Sequence, residues 1–345
     1  MVNRLYRHYG EIDITVATSL PASLLRERIQ VPFRCLNEAA DFGLLMNSAL
    51  DIDLQASAAA YAELHRNWDR RVSGQAARIE ALAPDMVLAD VPYLSLAAAS
   101  RVGIPAVALC SLNWADIYRH YFSDRPEATQ VLDQMETSYN GAAAFLCPEP
   151  SMPMPFLANR IGIGAIGLRG RDRREQLVDR LGVAEQQKIV LVTSGGVATR
   201  FPMEQWPTSQ GISWLVRDTW QAQHPDVYSQ ESCGLPFVDL LASCDAVLGK
   251  CGYGTVLECV INRTPLLYIE RPDWPEEESL VQWLAQHRAA YPVAPELLLN
   301  GAFSALLEQA TTTSVTACDP TGAAQAASYL AGLSAEPSTA SRARS

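Results

Sequence analysis

LPFVDLLASCDAVLGKCGYGTVLECVINRTPLLYIERPDWPEE, residues Leu235–Glu277, is the stretch of sequence that decides the fold. A short apolar strand ends in Lys250 and a glycine-rich turn, and the turn opens a helix. A second apolar strand follows and runs into a loop rich in proline and acidic residues. This order of strand, turn, helix and strand indicates an α/β domain with a parallel sheet. A glycine turn at a helix start can hold an anion such as a diphosphate on backbone amides.

The turn Gly249–Thr255 matches neither of the common phosphate-binding fingerprints. In a Walker A loop, Cys251 would have to be serine or threonine, and Cys244 would have to be the first glycine. In a Rossmann fingerprint a third glycine should follow Gly252 and Gly254, and the sequence lacks it. What remains is a lysine at a strand end beside a glycine turn, which favours anion binding over a plain turn.

The acidic residues after this turn have two explanations each. Thr255 and Glu258 fit a capping box, in which the two side chains cap the start of a helix, and the spacing favours this explanation. The Glu258 carboxylate could equally accept hydrogen bonds from a ribose diol. Glu276 and Glu277 enter the next predicted helix, where acids interact favourably with the helix macrodipole. Alternatively, one of them binds sugar hydroxyls.

The chain before residue 150 also alternates strands and helices. We predict a first strand at Ile12–Ala17 and one long helix over residues 51–82. Because ligands collect beyond the carboxyl ends of parallel strands, Asp90, Asn113 and Trp114 are candidate binding residues. Alternatively, Asp90 and Asn113 cap helices and Trp114 packs in the core. The other predicted elements here are strands Met86–Ala89, Pro105–Leu109 and Ala144–Leu146, and helices Tyr93–Arg101 and Asn113–Tyr121.

Four prolines between residues 148 and 155 mark a connection that approaches a domain boundary. A second alternating series follows, with a buried-type strand at Lys188–Thr193 and then a turn at Ser194, Gly195 and Gly196. Glycine there would let a phosphate approach closely, and an ordinary turn explains it equally well. Further strands are predicted at Ile212–Val216, Asp245–Leu248 and Pro265–Ile269, and a last helix near Gly322–Leu333. We therefore predict an N-terminal domain over 1–160, a C-terminal domain over 161–334 and a disordered tail over 335–345.

The composition is that of a soluble globular protein, with 48% hydrophobic and 19% charged residues. A formal net charge of -11 argues against general nucleic-acid binding, which needs a basic face. The eight cysteines form no CxxC pair and the five histidines show no metal-ligand spacing, so we expect no metal site. We expect a cytoplasmic protein with no signal peptide and no transmembrane segment.

The order of these features resembles the GT-B glycosyltransferases. The chain is similar to the group that includes the bacterial N-acetylglucosaminyltransferase of peptidoglycan synthesis (family 28). It is more specifically similar to the glycosyltransferase-like N-terminal region of plant L-arabinokinase and its stand-alone bacterial relatives. The resemblance rests on Asp90–Tyr121, Asp239–Leu241, Asp245, Leu248–Lys250, Gly252–Val256, Glu258 and Arg271–Glu277.

The resemblance implies two facing Rossmann-like domains with parallel sheets and transfer of a sugar from a nucleotide diphosphate sugar, taken here as a UDP-sugar. The acceptor is unknown, and no cofactor or metal is implied. Lys250 would stabilise the leaving diphosphate. The implied binding positions are Ser194–Gly196 and Gly252–Thr255, which include Tyr253, for the diphosphate, Glu258 for ribose, Glu276 and Glu277 for the donor sugar, and Phe237 for the base. Asp90, Asn113 and Trp114 would lie on the acceptor side.

The resemblance also implies a departure at the N-terminus. GT-B enzymes begin with a strand and a glycine-rich loop that often bears a histidine base. Here the sequence opens on a helical segment, VNRLYRHY, and the strand at Ile12–Ala17 corresponds to the second strand of the family. We therefore expect an N-terminal sheet that lacks a central strand, and we assign no catalytic base. Two alternatives follow: a non-catalytic nucleotide-sugar-binding module, or a GT-B-like sugar-nucleotide epimerase.

Overall fold

The computed structural model describes residues 1–10, 12–48, 50–193 and 200–335. Their contacts divide the chain into two compact units. Unit 1 comprises Met1–Leu45, Asp53–Ile166 and, of the described residues after 320, Thr321–Ala335. Unit 2 comprises Met46–Ile52 and Gly167–Pro320. Most of the predicted tail, 336–345, lies outside the described residues.

Unit 1 is an α/β unit with helices packed against short parallel strands. Its elements are α1 Val2–Tyr9, β1 Thr15–Thr18, α2 Ala22–Arg28, β2 Arg34–Asn37, α3 Leu54–Arg66, α4 Trp68–Leu82, β3 Val87–Ala89, α5 Tyr93–Arg101, β4 Ala106–Leu109, α6 Trp114–Phe122, α7 Ala128–Asn140, β5 Ala144–Pro148 and β6 Arg160–Ile163.

The strands of unit 1 form two separate parallel sheets. One contains β1 and β2, and the other has the order β3-β4-β5-β6. The strand at Ala144, predicted as the last of its series, is followed by β6 in the same sheet.

The long helix predicted over residues 51–82 is wrong, because the structure has two helices there. Asn67 ends α3 and begins α4. No proline or glycine marks the break, but asparagine competes poorly in a helix interior because its side chain bonds the nearby backbone. The Asp53 side chain caps α3 by accepting a hydrogen bond from the Ala56 amide at 2.8 Å.

The C-terminal helix departs from the predicted division of domains. Helix α14, Gly322–Ala335, groups with unit 1 rather than with residues 161–334. Its Ala326 and Leu330 are buried in one core cluster with Val107 and Leu146 of the β3–β6 sheet. Burial of this apolar helix face against the sheet explains why α14 belongs to unit 1. The sequence order alone does not predict this packing, because α14 follows unit 2 in the chain.

Unit 2 is a Rossmann-like unit with a single parallel sheet. Its elements are α8 Arg174–Leu181, β7 Lys188–Thr193, β8 Ile212–Val216, β9 Val227–Ser229, α9 Phe237–Ser243, β10 Ala246–Lys250, α10 Tyr253–Ile261, β11 Leu266–Ile269, α11 Glu277–Gln286, β12 Ala290–Pro292, α12 Pro295–Asn300 and α13 Ser304–Thr312. The predicted strands Lys188–Thr193 and Ile212–Val216 have the bounds that the structure shows.

The sheet of unit 2 has the order β12-β11-β10-β7-β8-β9. The direction of winding therefore reverses between β7 and β10, which makes their carboxyl ends the topological switch point. The two strands approach closely because Gly249 lies opposite Thr193. A Cβ at Gly249 would lie 2.3 Å from the Thr193 carbonyl oxygen, so only glycine fits this contact.

Among the described residues, no helix combines the length and the apolar character that a membrane crossing requires.

Candidate functional site

At the switch point of unit 2, the stretch Leu235–Glu277 reaches the edge of the sheet where the strands have their carboxyl ends. Lys250 is the last residue of β10, and Gly252 precedes α10. Open α/β sheets bind ligands in the crevice beyond such strand ends. The turn after β7, predicted at Ser194, Gly195 and Gly196, lies outside the described residues.

Helix α10 begins three residues earlier than a capping box at Thr255 requires. Its N-cap is Gly252, and no side chain caps it. The capping-box explanation of Thr255 and Glu258 is therefore wrong: Thr255 lies within the first turn and Glu258 in the middle of the helix. Glu258 is buried, and its Cγ lies 3.7 Å from the place of a Cβ at Gly167.

The glycines at the start of α10 are not explained by the protein's own packing. A Cβ added at Gly252 or Gly254 would meet no other atom within 4 Å, and neither residue has a positive φ. Gly249 differs from them, because the packing of its strand against Thr193 leaves no room for a side chain. Glycines that the protein's own packing does not require leave space for another group to approach the backbone amides closely.

Two cations lie close together beside this helix start. Burial lowers the pKa of Lys250, and the nearby Arg271 guanidinium lowers it further. Arg271 follows β11 and stacks over the Trp274 ring, with 4.7 Å from its Cζ to the ring centroid. Only two lysines occur in the chain, at 188 and 250, against 27 lysines and arginines together. The rarity of lysine draws attention to Lys250 in the sequence. No sequence pattern shows that Arg271 lies near it.

Both predicted sugar-side acids are buried at the start of α11. Glu276 accepts a hydrogen bond from the Trp274 indole at 3.2 Å, and Glu277 Oε1 accepts one from the Arg271 amide at 2.6 Å. Glu277 Oε2 is buried with no hydrogen-bond partner among the described residues. Burial raises the pKa of Glu277, and the hydrogen bond from Arg271 partly opposes that rise.

The remaining predicted residues of unit 2 lie at helix starts. Phe237 is the first residue of α9 and Tyr253 the first of α10, and both side chains are half-buried. The structure thus brings Lys250, Gly252–Thr255, Glu276 and Glu277 to elements around one edge of the unit 2 sheet.

In unit 1, Asp90 follows β3 at a point of backbone strain. The next residue, Val91, has φ 72, which is unusual for a β-branched side chain. The Tyr139 hydroxyl donates to the Val91 carbonyl at 2.8 Å and accepts from the Trp114 amide at 3.1 Å, which holds this turn. Partial desolvation raises the pKa of Asp90, although its side chain reaches solvent, and a hydrogen bond with Cys110 opposes the rise. Such strain collects at functional sites.

Asn113 is a helix cap. Its Oδ1 accepts from the Asp116 amide at 2.8 Å and its Nδ2 donates to Asp116 Oδ2 at 2.8 Å, so its side chain is engaged within α6. Trp114 is partly buried, and its indole Nε1 is buried without a partner among the described residues. The capping role foreseen for Asn113 is thus present in the structure.

Sequence analysis missed Asp41, which lies close to the same turn. The Asp41 carboxylate accepts a hydrogen bond from the Tyr93 amide, while Oδ2 is buried without a partner among the described residues. Burial raises the pKa of Asp41 to about 7, the Tyr93 hydrogen bond opposes the rise, and the charge of Asp90 adds to it. The next residues are fixed by packing, because Gly43 (φ 67) leaves no room for a side chain beside Trp114. No motif around Asp41 indicates this burial.

Comparison with known proteins places this geometry in context. No protein-family model matches the chain. The chain is 24% identical over 306 residues to L-arabinokinase of Arabidopsis thaliana, an alignment that covers 86% of this chain and 29% of that protein. The chain therefore spans less than a third of the length of this curated relative.

Two solved structures are similar over nearly their full length. The spinosyn forosaminyltransferase SpnP has a TM-score of 0.61 at 17% identity, covering 97% of this chain and 94% of its own. A UDP-glucosyltransferase from Polygonum tinctorium, capable of glucosylating indoxyl, has a TM-score of 0.57 at 14% identity, covering 97% and 95%. Both are GT-B glycosyltransferases. This chain has the GT-B fold. Within that fold, unit 2 carries Lys250 and the glycines at the start of α10, and unit 1 carries the strained turn after Asp90.

Proposed function

We propose that the protein is a glycosyltransferase whose unit 2 binds a nucleotide diphosphate sugar, specifically a UDP-sugar, and whose unit 1 supplies the acceptor side. The names of the similar proteins support this class of reaction, since both solved structures are sugar transferases and one is a UDP-glucosyltransferase. The proposal depends most on the site at the start of α10.

The observation that carries the proposal is the pair of glycines at 252 and 254. Neither packing nor backbone conformation requires glycine there, and both leave the first amides of α10 uncovered by side chains. A diphosphate held on those amides would lie against the glycines, and the helix macrodipole would favour its charge.

The charge of the leaving diphosphate has two candidate partners, Lys250 and Arg271. The two positive charges repel each other in the absence of a ligand, and this repulsion lowers the pKa of Lys250. A diphosphate would relieve that repulsion and be stabilised most when its negative charge increases as the glycosidic bond breaks.

The acidic residues around this edge of the sheet suggest where the sugar and the nucleoside of the donor bind. Glu277 Oε2 lacks a partner among the described residues, and a sugar hydroxyl would supply the missing donor. We assign Glu276 to the same sugar, Glu258 to ribose and the region of Phe237 to the base. Glu258 is buried, so a ribose contact requires its side chain to move or the ligand to displace its neighbours.

For the acceptor side we propose Asp90 as the proton acceptor. The acceptor hydroxyl oxygen would bond to the anomeric carbon, the bond from that carbon to the diphosphate would break, and the proton would pass to the Asp90 carboxylate. Desolvation raises the pKa of Asp90, which makes its carboxylate a stronger base than an ordinary aspartate. Trp114 would contribute its indole face and N–H on the same side.

Titration calorimetry with UDP and UDP-sugars tests the donor site. Gly254→Ala should bind UDP at least tenfold more weakly because its methyl group occupies the place of the diphosphate. The same change should raise helix stability by up to about 1 kcal/mol, since alanine is the better helix former. Unchanged UDP affinity in a folded Gly254→Ala variant would refute the site.

Product analysis separates the alternatives once binding is established. Release of UDP together with a glycosylated acceptor supports a transferase, and loss of both in Asp90→Asn supports the assigned base. Binding without turnover would identify a nucleotide-sugar-binding module instead. A donor sugar with inverted configuration in the NMR spectrum would identify an epimerase.

We also propose a cytoplasmic location. All eight cysteines lie in the described part of the chain and are free thiols, five of them buried. Free thiols are typical of proteins kept in a reducing compartment. Selective thiol labelling of the protein in intact cells checks this.

A further inference from the structure

The amino ends of the unit 2 strands, at the pole opposite the proposed donor site, carry an unassigned row of charged residues. Four neighbouring strands, in the order β12, β11, β10 and β7, begin at or just after Arg288, Arg263, Asp245 and Lys188. Strand spacing makes this row roughly 14 Å wide. Three of its four charges are positive in a chain whose net charge is -11.

Both arginines of this row occupy strained backbone positions. Arg263 has φ 62 and Arg288 has φ 59, directly after the C-caps of α10 and α11. Glycine is the usual residue at this position because it alone adopts a left-handed conformation without penalty. The chain does use glycine to end α8 and α12, at Gly182 and Gly301. Helix α4 ends on a left-handed alanine, Ala83 (φ 46), so glycine is not obligatory at such a position; arginine at 263 and 288 adds a charge that glycine or alanine would not.

The acid of the row is already engaged by other residues. Asp245 pairs with Arg174 at 2.6 Å and with Lys188 at 3.3 Å, and it accepts a hydrogen bond from the Ile189 amide at 2.8 Å. Arg263 is exposed and forms no ion pair with another described residue. The row thus retains an excess of positive charge.

A cavity of about 660 Å³ opens at this row. Lys188, Asp245 and Arg263 line it on the side of the strands, and the hydroxyl residues Thr313, Ser314 and Thr316 line it on the loop after α13. The loop is held in place because the Thr316 amide donates to the His287 carbonyl at 2.9 Å. Cations and hydroxyls are side chains that bind oxyanions, and the charge of Asp245 in this lining is already offset by Arg174 and Lys188.

The carbonyl ends of α10 and α13 also lie near this pole, and they offer an ordinary explanation for the cations. Positive side chains near a helix C-terminus stabilise its macrodipole. That explanation accounts for exposed cations, but it does not account for a cavity that hydroxyl side chains line beside them.

We propose that this cavity is a second binding site, for phosphate or the phosphate group of a small phosphorylated metabolite, with Arg263 and Lys188 as its cationic ligands. The site is independent of the donor site, because parallel strands place their amino and carboxyl ends at opposite edges of the sheet.

The two lysines make the test direct. Reductive methylation with ¹³C-formaldehyde retains the positive charge and gives separate NMR signals for Lys188 and Lys250. Inorganic phosphate, titrated at constant ionic strength against chloride, should shift the Lys188 signal saturably. Glycerol phosphate in a second titration distinguishes a site for the free ion from one for phosphate esters by which probe binds more tightly.

Substitutions at Arg263 separate charge from backbone strain. Arg263→Gly should fold at least as stably as the parent protein and bind phosphate at least fivefold more weakly, while Arg263→Lys should retain most of the affinity. UDP should shift the Lys250 signal equally in all three proteins, so failure at this pole is distinguishable from failure of the donor site. A Lys188 signal that ignores phosphate, or equal phosphate affinity in Arg263→Gly, would overturn the proposal.

Discussion

Replacing Lys250 by methionine should weaken nucleotide binding and, at the same time, leave the folded protein as stable or more stable. Methionine keeps the length and the apolar stem of the lysine side chain and removes only the charge. Burial and the neighbouring Arg271 both disfavour the Lys250 charge in the free protein, as its lowered pKa shows. Removing that charge therefore relieves a cost in the absence of ligand.

The loss of binding follows from the value of a charge-assisted hydrogen bond. Such a bond to a phosphate oxygen contributes about 1.5–3 kcal/mol. At about 1.4 kcal/mol for each factor of ten, Lys250→Met should raise the Kd for UDP roughly 10- to 150-fold. Part of the lost interaction is compensated, because Arg271 remains and no longer shares the site with a second cation.

The effect on stability has a defined pH dependence. Because the pKa of Lys250 is lower in the folded protein, the unfolded chain binds more protons at pH values between the folded pKa and the ordinary value near 10.4. Stability of the parent protein therefore rises with pH across that window. The advantage of Lys250→Met should be complete below the folded pKa and vanish above about pH 10.4.

Calorimetry measures the affinity for UDP, and urea unfolding measures the stability. The ¹³C-methyl signal of Lys250 gives its pKa directly, and UDP should raise that pKa. Lys188→Met is the matched control: it removes the other lysine, which pairs with Asp245 at 3.3 Å, and should leave UDP affinity unchanged. An unshifted Lys250 pKa, or equal UDP affinity in Lys250→Met and the parent, would refute the reasoning.

Three further changes test separate parts of the structure. Gly249→Ala should lower the free energy of unfolding in urea by about 1–3 kcal/mol, because its methyl group would lie 2.3 Å from the Thr193 carbonyl oxygen; Gly254→Ala, whose methyl group meets no atom, should not. Asp41→Asn should match the parent near pH 4 and exceed its stability by roughly 2–4 kcal/mol at pH 8, since a carboxyl with a raised pKa of about 7 loses its stabilising protonated form as pH rises from 4 to 7. Equal pH profiles would contradict the burial of that carboxyl. Glu277→Gln should leave UDP affinity unchanged and weaken UDP-glucose binding in calorimetry, because the unpartnered oxygen is assigned to the sugar.

Local sequence patterns predicted most of the elements around the site. The apolar run Lys188–Thr193 matched its strand because β-branched residues flanked by polar ones have few other stable arrangements. The pattern failed at Asn67, where a continuous helical sequence is divided in two. It also failed at Thr255, because a capping box and the first turn of a helix that begins three residues earlier have the same residue types.

The sequence predicted some residues of the candidate site and not others, because it records only contacts between neighbours in the chain. Lys250 and its glycines are adjacent in sequence, so their pattern reveals them. Arg271 and Asp41 act through neighbours that lie far from them along the chain or come from other elements. Asp41 receives its hydrogen bond from Tyr93, 52 positions later in the chain, and no local pattern records such a contact.

The sequence by itself determined the α/β class, the parallel sheets and the glycine turn after Lys250, because these depend on periodicity and backbone conformation over a few residues. Only the tertiary structure decided which charges meet. Strand order places β10 beside β7 and so creates the switch point, and it also aligns Arg263 with Lys188 at the opposite pole. The packing of α14 on unit 1 was decided in the same way, by burial of apolar surface between segments that are far apart in sequence.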